Sequence, residues 1–326
     1  MRDTIKANAA NTQSQAALLE SVRLSLHAQL ASAYIALRGI DRDLQLLQDT
    51  QKAFQNALEL TESRLQGKIA SPLDVERAKA ELEVTKALRD DDLAHRAGLE
   101  HSIATLVGRP ASSFSIPIAP IAIVTPRFPT SAPSALLERR PDIAAAERQV
   151  AAANEGIGIA RSAFYPRFFF NLSAGTQDRG VRLLDLQNEL YTLGPSVSIP
   201  IFDGGARKAQ LDIAYSRRDQ ALAQFRQNVL QAVQEVEDAL ATQRYLTAEN
   251  QRLNAAVTSE RKVLDLSLTL YRDGATNYLD VVIAQQALLV QQRSSLGLLT
   301  RNLSSAVSLF VALGGGWDGP LPVKPS

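Results

Sequence analysis

Few side chains in this sequence could carry chemistry. There is no cysteine, and the three histidines, His27, His95 and His101, lie on predicted helices without a second ligand one turn away. Thiol catalysis, disulfides and cysteine-based zinc sites are therefore excluded, and solvated surface histidines are expected rather than metal ligands. We predict that the protein is not an enzyme and has no cofactor or metal site.

Two short motifs resemble ligand sites but have simpler interpretations. The run Asp90-Asp91-Asp92 lies in the middle of a predicted helix, where such a run is typical of a solvated face, with a cation site as the alternative. The triplet Gly314-Gly315-Gly316 follows a helix and lacks the lysine and hydroxyl residue of a phosphate loop. It therefore predicts a helix stop.

Three further carboxylates lie beside breaks in the predicted helices. Asp74 and Asp280 fall in first helical turns, where the positive end of the helix stabilises a carboxylate. Asp273 precedes Gly274 and fits a turn. Helix capping and turn formation thus account for these residues unless the fold gives them a common site.

The elements that position these residues are long helices. Residues 4–64 contain no proline and one glycine, which predicts a helix on the order of 90 Å long. Residues 66–71 break it, and Ser71 followed by Pro72 predicts the start of a second helix that runs to about Val107. Residues 1–109 are therefore predicted to form a first helical hairpin.

A second hairpin is predicted for residues 204–314. Its first helix, from about Ala206 to Tyr271, contains neither proline nor glycine. Residues 272–277 form the break. The next helix has apolar residues seven apart, as in a coiled coil: Val282, Leu289, Leu296, Leu303 and Phe310.

The two hairpins are copies of one another. Leu73-Asp74-Val75 recurs 206 residues later as Leu279-Asp280-Val281, and Gly108 recurs as Gly314 at the same offset. Residue 207, which follows a predicted strand pair, corresponds to residue 1. The repeat therefore predicts that the chain lacks the N-terminal part of its first copy.

The segment between the hairpins changes character along its length. Residues 110–133 are rich in proline and predict an extended crossing segment, with short strands around Ile121 to Val124. Residues 134–164 predict a helix pair, Ser134 to Arg139 and Pro141 to Phe164. Residues 315–326 predict a flexible tail.

A β-hairpin is predicted for residues 165–203. Its strands, Phe168–Thr176 and Tyr191–Ile201, alternate apolar with small polar residues over roughly ten positions. This alternation is typical of membrane-spanning strands, and a hairpin on a soluble sheet explains it equally well. No apolar run is long enough for a membrane-spanning helix.

Several motifs at fixed spacing carry a family resemblance. They are Leu136-Leu137-Glu138-Arg139-Arg140-Pro141-Asp142-Ile143, Gly158, Arg161, Phe164-Tyr165-Pro166, Pro200-Ile201-Phe202-Asp203-Gly204-Gly205 and Tyr278-Leu279-Asp280-Val281. Over nearly all of residues 1–316 the sequence resembles the TolC-like outer-membrane efflux proteins, in particular the NodT-type lipoproteins of tripartite efflux pumps. The family signature residues are Arg139, Arg140, Pro141, Asp142, Gly158 and Arg161.

The resemblance implies a mainly α fold. Two long coiled-coil hairpins would form a trimeric α-barrel in the periplasm, and the β-hairpin would contribute to an outer-membrane β-barrel. The protein would be a passive exit duct for small molecules. Its partners would be two further copies, a periplasmic adaptor (membrane fusion) protein, an inner-membrane efflux transporter and outer-membrane lipid. Relatives supply four strands per chain, and this sequence shows two.

The resemblance also implies sites at the helix tips, which in the family constrict the pore and meet the adaptor. The gating candidates are Asp273, Thr276, Asp280 and Asp74. The adaptor-contact candidates are Gly67, Leu73, Gly274, Tyr278 and Leu279. Thr276 stands where many relatives carry aspartate, and Lys68 stands where they usually carry glycine.

Other classes of protein fit less well. A coiled-coil periplasmic adaptor or structural protein also has a long hairpin, but it has one rather than two. The 206-residue repeat and Arg139-Arg140-Pro141-Asp142 favour the channel. With 35 basic and 34 acidic residues and no basic cluster, nucleic acid is not an expected partner.

Overall fold

The computed structural model describes residues 1–119, 139–176 and 189–317. Its elements are α1 (Arg2–Gln66), α2 (Pro72–Leu106), a 3₁₀ turn (Ala111–Ser113), α3 (Pro141–Ser162), β1 (Arg167–Thr176), β2 (Glu189–Ser198), α4 (Ala206–Arg272) and α5 (Tyr278–Ala312). The predicted mainly α class, with two long helical hairpins and a β-hairpin, is confirmed.

Some predicted elements cannot be placed. The strands around Ile121 to Val124, the helix beginning at Ser134 and the tail beyond Trp317 lie outside the described residues. Within the described ranges, no helix combines the length and apolarity needed to cross a membrane.

The described residues fall into two compact units. The strand unit comprises Met1–Leu19 and Pro141–Leu230, and the tip unit comprises Glu20–Arg140 and Gln231–Asp318. The helices α1 and α4 each contribute to both units.

In the tip unit the two hairpins turn in the same way. Lys68 has a φ of 58° and Gly274 a φ of 75°. The amide of Lys68 donates to the carbonyl of Leu65 at 2.9 Å, and that of Gly274 to Tyr271 at 3.1 Å. The left-handed conformation costs a non-glycine residue about 1–2 kcal/mol. Lys68 therefore holds a position for which glycine is better suited.

The helices that follow the two tips begin alike. Ser71 accepts a hydrogen bond from the amide of Asp74, and Asn277 accepts one from the amide of Asp280. Ser71 and Asn277 are again 206 residues apart. Each side chain satisfies an amide that the first helical turn leaves without a partner. The sequence repeat is thus also a repeat of hydrogen bonds.

One hydrophobic core joins the two hairpins near their tips. Its buried members are Phe54, Leu58, Val75, Ala78, Leu82, Tyr271, Tyr278, Val281 and Val282. They come from α1, α2, α4 and α5, so both copies of the repeat contribute. Neither hairpin buries these side chains alone, and the core positions the two tips side by side.

The strand unit contains an antiparallel hairpin with an exposed apolar face. Phe168 pairs with Val197, and Leu172 pairs with Leu193. The exposed fractions of Phe168, Phe170 and Leu172 are 79%, 70% and 70%. β2 ends at Ser198 rather than at the predicted Ile201, since the proline at position 200 has no amide to extend the ladder.

Candidate functional site

The tip of the second hairpin is held by two tyrosines and an arginine. The rings of Tyr271 and Tyr278 lie 5.3 Å apart at 57°. The guanidinium of Arg64, from the first hairpin, lies 4.7 Å from the centre of the Tyr271 ring. Its Nη1 donates to the carbonyl of Arg272 at 3.0 Å. One contact thus joins the last turn of α1 to the last turn of α4.

Tyr278 lies inside the tip. Its side chain is 2% exposed. Burial, with a smaller contribution from Tyr271, raises its pKa to about 12, so the hydroxyl stays neutral near pH 7. The sequence placed Tyr278 among the surface candidates, but the structure packs it in the shared core. Its influence on any docked protein is therefore indirect.

Three of the four gating candidates, Asp74, Thr276 and Asp280, have local hydrogen-bonding partners for their side chains. Asp74 accepts from the amide and hydroxyl of Ser71 at 3.1 and 2.9 Å, and Arg77 lies 3.8 Å away. Asp280 accepts a hydrogen bond from the hydroxyl of Thr276. The contacts between Ser71 and Asp74 form a capping box, an arrangement that the sequence also allowed.

Asp273 differs from these two carboxylates. It lies in the turn that follows α4 and is exposed. Its amide donates to Thr269 at 3.0 Å, but its carboxylate has no partner among the described residues. It is therefore the tip carboxylate that an ion or another chain could reach most directly.

Apolar side chains also lie at the tips. Leu73 and Leu279, both predicted from the sequence, are 57% and 37% exposed, and Ile69 is 68% exposed. Gly67 and Gly274 are exposed as well. Ile69 was missed because it lies in the break, where no periodic pattern distinguishes it from a turn residue. Together these residues form the exposed apolar surface of the tips.

A buried ion-pair network lies farther from the tips, and no sequence pattern indicated it. Asp41 is completely buried and binds two arginines, Arg38 at 2.7 Å and Arg96 at 2.7 Å. Glu100 lies 2.9 Å from Arg96. Charged groups are buried only when they are paired and hydrogen-bonded, and here each has a partner of opposite charge.

The network also holds the chain that follows α2. Arg38 donates to the carbonyl of Pro117 at 2.8 Å, and Arg96 donates to the carbonyl of Ile116 at 2.7 Å. The amide of Ala119 donates to Asp41 at 3.2 Å. The start of the proline-rich segment is thus fixed to the first hairpin.

A second cluster corrects the interpretation of the aspartate run. Asp90 and Asp91 are exposed, but Asp92 is buried, so the predicted solvated face is wrong for Asp92. Arg293 lies 3.1 Å from Asp92 and 2.8 Å from Asp43. Burial first, and the neighbouring Asp43 second, raise the pKa of Asp92 to about 6. Two carboxylates thus share one guanidinium.

The raised pKa of Asp92 makes stability depend on pH. Because the folded protein binds this proton more tightly than the unfolded chain, protonation stabilises the fold below the unfolded pKa, and this contribution is lost as the pH rises through about 6. We expect Asp92→Asn to raise the free energy of unfolding by up to about 2 kcal/mol over wild type at pH 7.5. This advantage should shrink towards pH 5. Urea titrations at both pH values measure it.

The control for that experiment is Asp90→Asn, which changes an exposed neighbour on the same helix. The free energy of unfolding of this variant should stay within about 0.5 kcal/mol of the wild-type value at both pH values. An Asp92→Asn effect that does not change between pH 5 and pH 7.5 would contradict the assignment of the proton to this carboxylate.

His95 also requires a correction. Its Nδ1 lies 4.0 Å from Asp91, so it does have a candidate ligand one turn away. Asp91, Asp92 and His95 bring ligand atoms within 4.8 Å of one another. Asp92 already binds the positively charged Arg293, which opposes a cation at the same oxygens. We do not assign a site there.

The first two signature residues, Arg139 and Arg140, pack against the C-terminal end of α5. Arg140 is buried, and its Nη1 donates to the carbonyl of Ala312 at 3.1 Å and lies 2.8 Å from Glu235. The carbonyl of Arg139 lies 2.6 Å from where a Cβ on Gly314 would be. Gly314 has a φ of 92°. Only glycine fits both the conformation and the space.

The other signature residues serve the strand unit. Pro141 and Asp142 open α3 as predicted. A Cβ on Gly158 would lie 2.5 Å from the Asp3 carboxylate, so a larger residue at this position would require the Asp3 side chain to move. Arg161 donates to the hydroxyl of Tyr215 at 2.5 Å. These contacts give the signature a structural role.

Comparison with known proteins identifies the class. The family model described as outer membrane efflux protein matches residues 1–109 and 132–315. The chain therefore belongs to the outer membrane efflux protein family. The alternative interpretation as a periplasmic adaptor is set aside.

Individual relatives agree. Outer membrane protein OprJ of Pseudomonas aeruginosa is 32% identical over 305 residues, covering 91% of this chain and 63% of that protein. The outer membrane protein VceC of Vibrio cholerae matches with a TM-score of 0.87 at 28% identity, over 97% of this chain and 76% of its own. The open state of the Neisseria gonorrhoeae MtrE outer membrane channel matches with a TM-score of 0.83 at 26% identity, over 97% and 72%.

The chain spans less than two thirds of the length of the curated relatives that it matches, 63% for OprJ and 62% for the toluene efflux pump outer membrane protein TtgF of Pseudomonas putida.

Proposed function

We propose that the protein is the outer-membrane exit duct of a tripartite efflux system and passively conducts small molecules across the periplasm and outer membrane. The observation that carries the proposal is membership of the outer membrane efflux protein family. The duplicated hairpins, whose second helices begin with equivalent N-cap hydrogen bonds, support it. Long rods with a shared core suit the wall of a duct.

The proposed assembly is a homotrimer. Large apolar side chains remain exposed along the second hairpin, and another subunit would cover them. They include Leu230, Val233, Leu266, Leu270, Ile283 and Val290. In this assembly the strand pair enters the outer membrane, where its exposed apolar face meets lipid.

The proposed adaptor contact lies at the tips. Leu73, Leu279 and Ile69 give a partner apolar side chains to bury, and Gly67 and Gly274 allow its backbone to approach closely. An adaptor would link the duct to an inner-membrane transporter, which would supply the energy.

The proposed gate uses the tip carboxylates. In a trimer, Asp273 and Asp280 would each occur three times around the narrow end of the duct, where rings of carboxylates favour cations. We expect Asp273→Ala combined with Asp280→Ala to raise single-channel conductance in planar bilayers and to weaken cation selectivity. The Ala at 280 also removes the acceptor for the Thr276 hydroxyl, which loosens the tip.

The matched control is Asp265→Ala, which removes an exposed carboxylate from α4 before the tip. It should leave conductance unchanged. If the double variant conducts like wild type, the tip carboxylates are not part of the gate. If wild-type and variant chains both fail to form channels, the exit-duct proposal itself fails.

A further inference from the structure

Exposed aromatic and apolar residues surround the point where the strand pair meets the helices. We call residues 161–167 and 199–208 the hairpin base; it joins α3 to β1 and β2 to α4. Phe164 and Tyr165 are 48% and 69% exposed, and Ile201 and Phe202 are 95% and 90% exposed. Aromatic side chains in such a position favour the boundary between water and lipid.

The hairpin base is also basic. It contains four cations, Arg161, Arg167, Arg207 and Lys208, and one carboxylate, Asp203. Asp203 is already engaged by Arg207, whose Nε lies 2.5 Å away. The base therefore has a net charge of +3, whereas the whole chain has +1. Positive charge is concentrated beside the exposed strands.

Three of these cations have no carboxylate partner among the described residues: Arg161, Arg167 and Lys208. All three are exposed. Within the described part of the chain, the guanidinium of Arg161 donates to the neutral hydroxyl of Tyr215 and lies 5.8 Å from the centre of the Tyr215 ring. Arg161 is thus oriented but not neutralised, and its remaining donors stay available to an anion.

The order of these layers matches the order of layers in a bilayer. β1 and β2 have 10 residues each, a typical length for strands that cross the hydrocarbon region. The exposed aromatic residues lie at the end of the strands that joins the helices. The cations without a carboxylate partner, Arg161, Arg167 and Lys208, lie beside them. If the strands occupy the hydrocarbon, the cations lie at the depth of the phosphates, and guanidinium groups bind phosphate oxygens through paired hydrogen bonds.

We propose that the hairpin base binds the headgroups of anionic phospholipids in the leaflet that faces the helices, through Arg161, Arg167 and Lys208. The proposal rests on the proposed function, because it requires the strands to enter the membrane. It adds a lipid preference that insertion alone does not produce, since the apolar strands do not distinguish headgroups.

The test is flotation of the full chain with two kinds of vesicle, phosphatidylcholine alone and phosphatidylcholine with one third phosphatidylglycerol. Each cation near a negatively charged surface strengthens binding about fivefold. With three such cations, wild type should therefore bind the anionic vesicles on the order of a hundredfold more tightly, and salt should reduce the difference. Arg161→Gln with Arg167→Gln should lower anionic binding about twentyfold and leave binding to phosphatidylcholine unchanged.

The matched control is Arg252→Gln with Arg261→Gln, which removes two exposed cations from α4 in the tip unit. It should keep the anionic preference of wild type. Equal binding of wild type to both vesicles would overturn the lipid proposal and leave the exit duct intact. Binding to neither would overturn both. An Arg161/Arg167 variant that keeps the full anionic preference of wild type would also overturn the assignment to the hairpin base.

Discussion

Replacing Asp41 by alanine is expected to lower the free energy of unfolding by about 3–5 kcal/mol. The Asp41 side chain is 0% exposed and binds Arg38 and Arg96 at 2.7 Å each. Its loss leaves two buried guanidinium groups without their shared counter-charge, and the amide of Ala119 without an acceptor. Urea unfolding followed by circular dichroism measures the loss.

The control for Asp41 is Asp49→Ala, on the same helix. Asp49 has a side chain that is 60% exposed and lies 3.7 Å from Lys52. Exposed pairs contribute little, so this change should cost less than about 1 kcal/mol. If Asp41→Ala costs no more than Asp49→Ala, the buried network does not stabilise the tip unit. Asp41→Ala should also speed proteolysis near residues 116–119, because Arg38 and Arg96, which bind this segment, lose the carboxylate that orients them.

The local structure of this protein could be predicted from its sequence because its signals are local. Ser71 and Asp74 are three residues apart, and each is a partner of the other in a capping box. Gly108 and Gly314 end helices of equal length, as their spacing predicted. Such signals depend on neighbouring residues alone. Signals of this kind also predicted the positions of the helix tips and of the β-hairpin in the chain.

The buried charges could not be predicted in the same way. Asp41 and Arg96 are 55 positions apart, and Arg293 reaches residues on two other helices. Successive helical residues point about 100° apart, so Asp91 can face water while Asp92 faces the core. The sequence does not fix how a long, weakly amphipathic helix rotates against its neighbours. Packing decides this, and it decides which aspartate is buried.

The two helix tips lie in the chain where the sequence predicted them, but the sequence did not sort their side chains by exposure. Tyr278 and Leu279 are adjacent in one motif, yet one is 2% exposed and the other 37%. The difference follows from the tyrosine stack with Tyr271, which joins residues on either side of the break. The proposed docking surface therefore includes Leu279 and its exposed neighbours and leaves out Tyr278.

The second large effect is expected from Phe54→Ala, at the centre of the core that both hairpins share. Phe54 is 4% exposed and packs in a cluster with Val75, Tyr278 and Val281. Removing a buried phenyl ring typically costs about 3–5 kcal/mol, because a cavity remains. Hydrogen exchange should rise by about two orders of magnitude in both tips, at residues 62–76 and 268–282, since one core supports both.

The neighbouring Gln55 provides the control, because it is exposed and its side chain donates to Glu59, one helical turn away, at 3.1 Å. Gln55→Ala should change stability by less than about 0.5 kcal/mol and leave exchange at both tips unaltered. Hydrogen exchange at the two tips also provides an internal comparison. If Phe54→Ala loosens the tip of its own hairpin and spares residues 268–282, the two hairpins do not share one stabilising core.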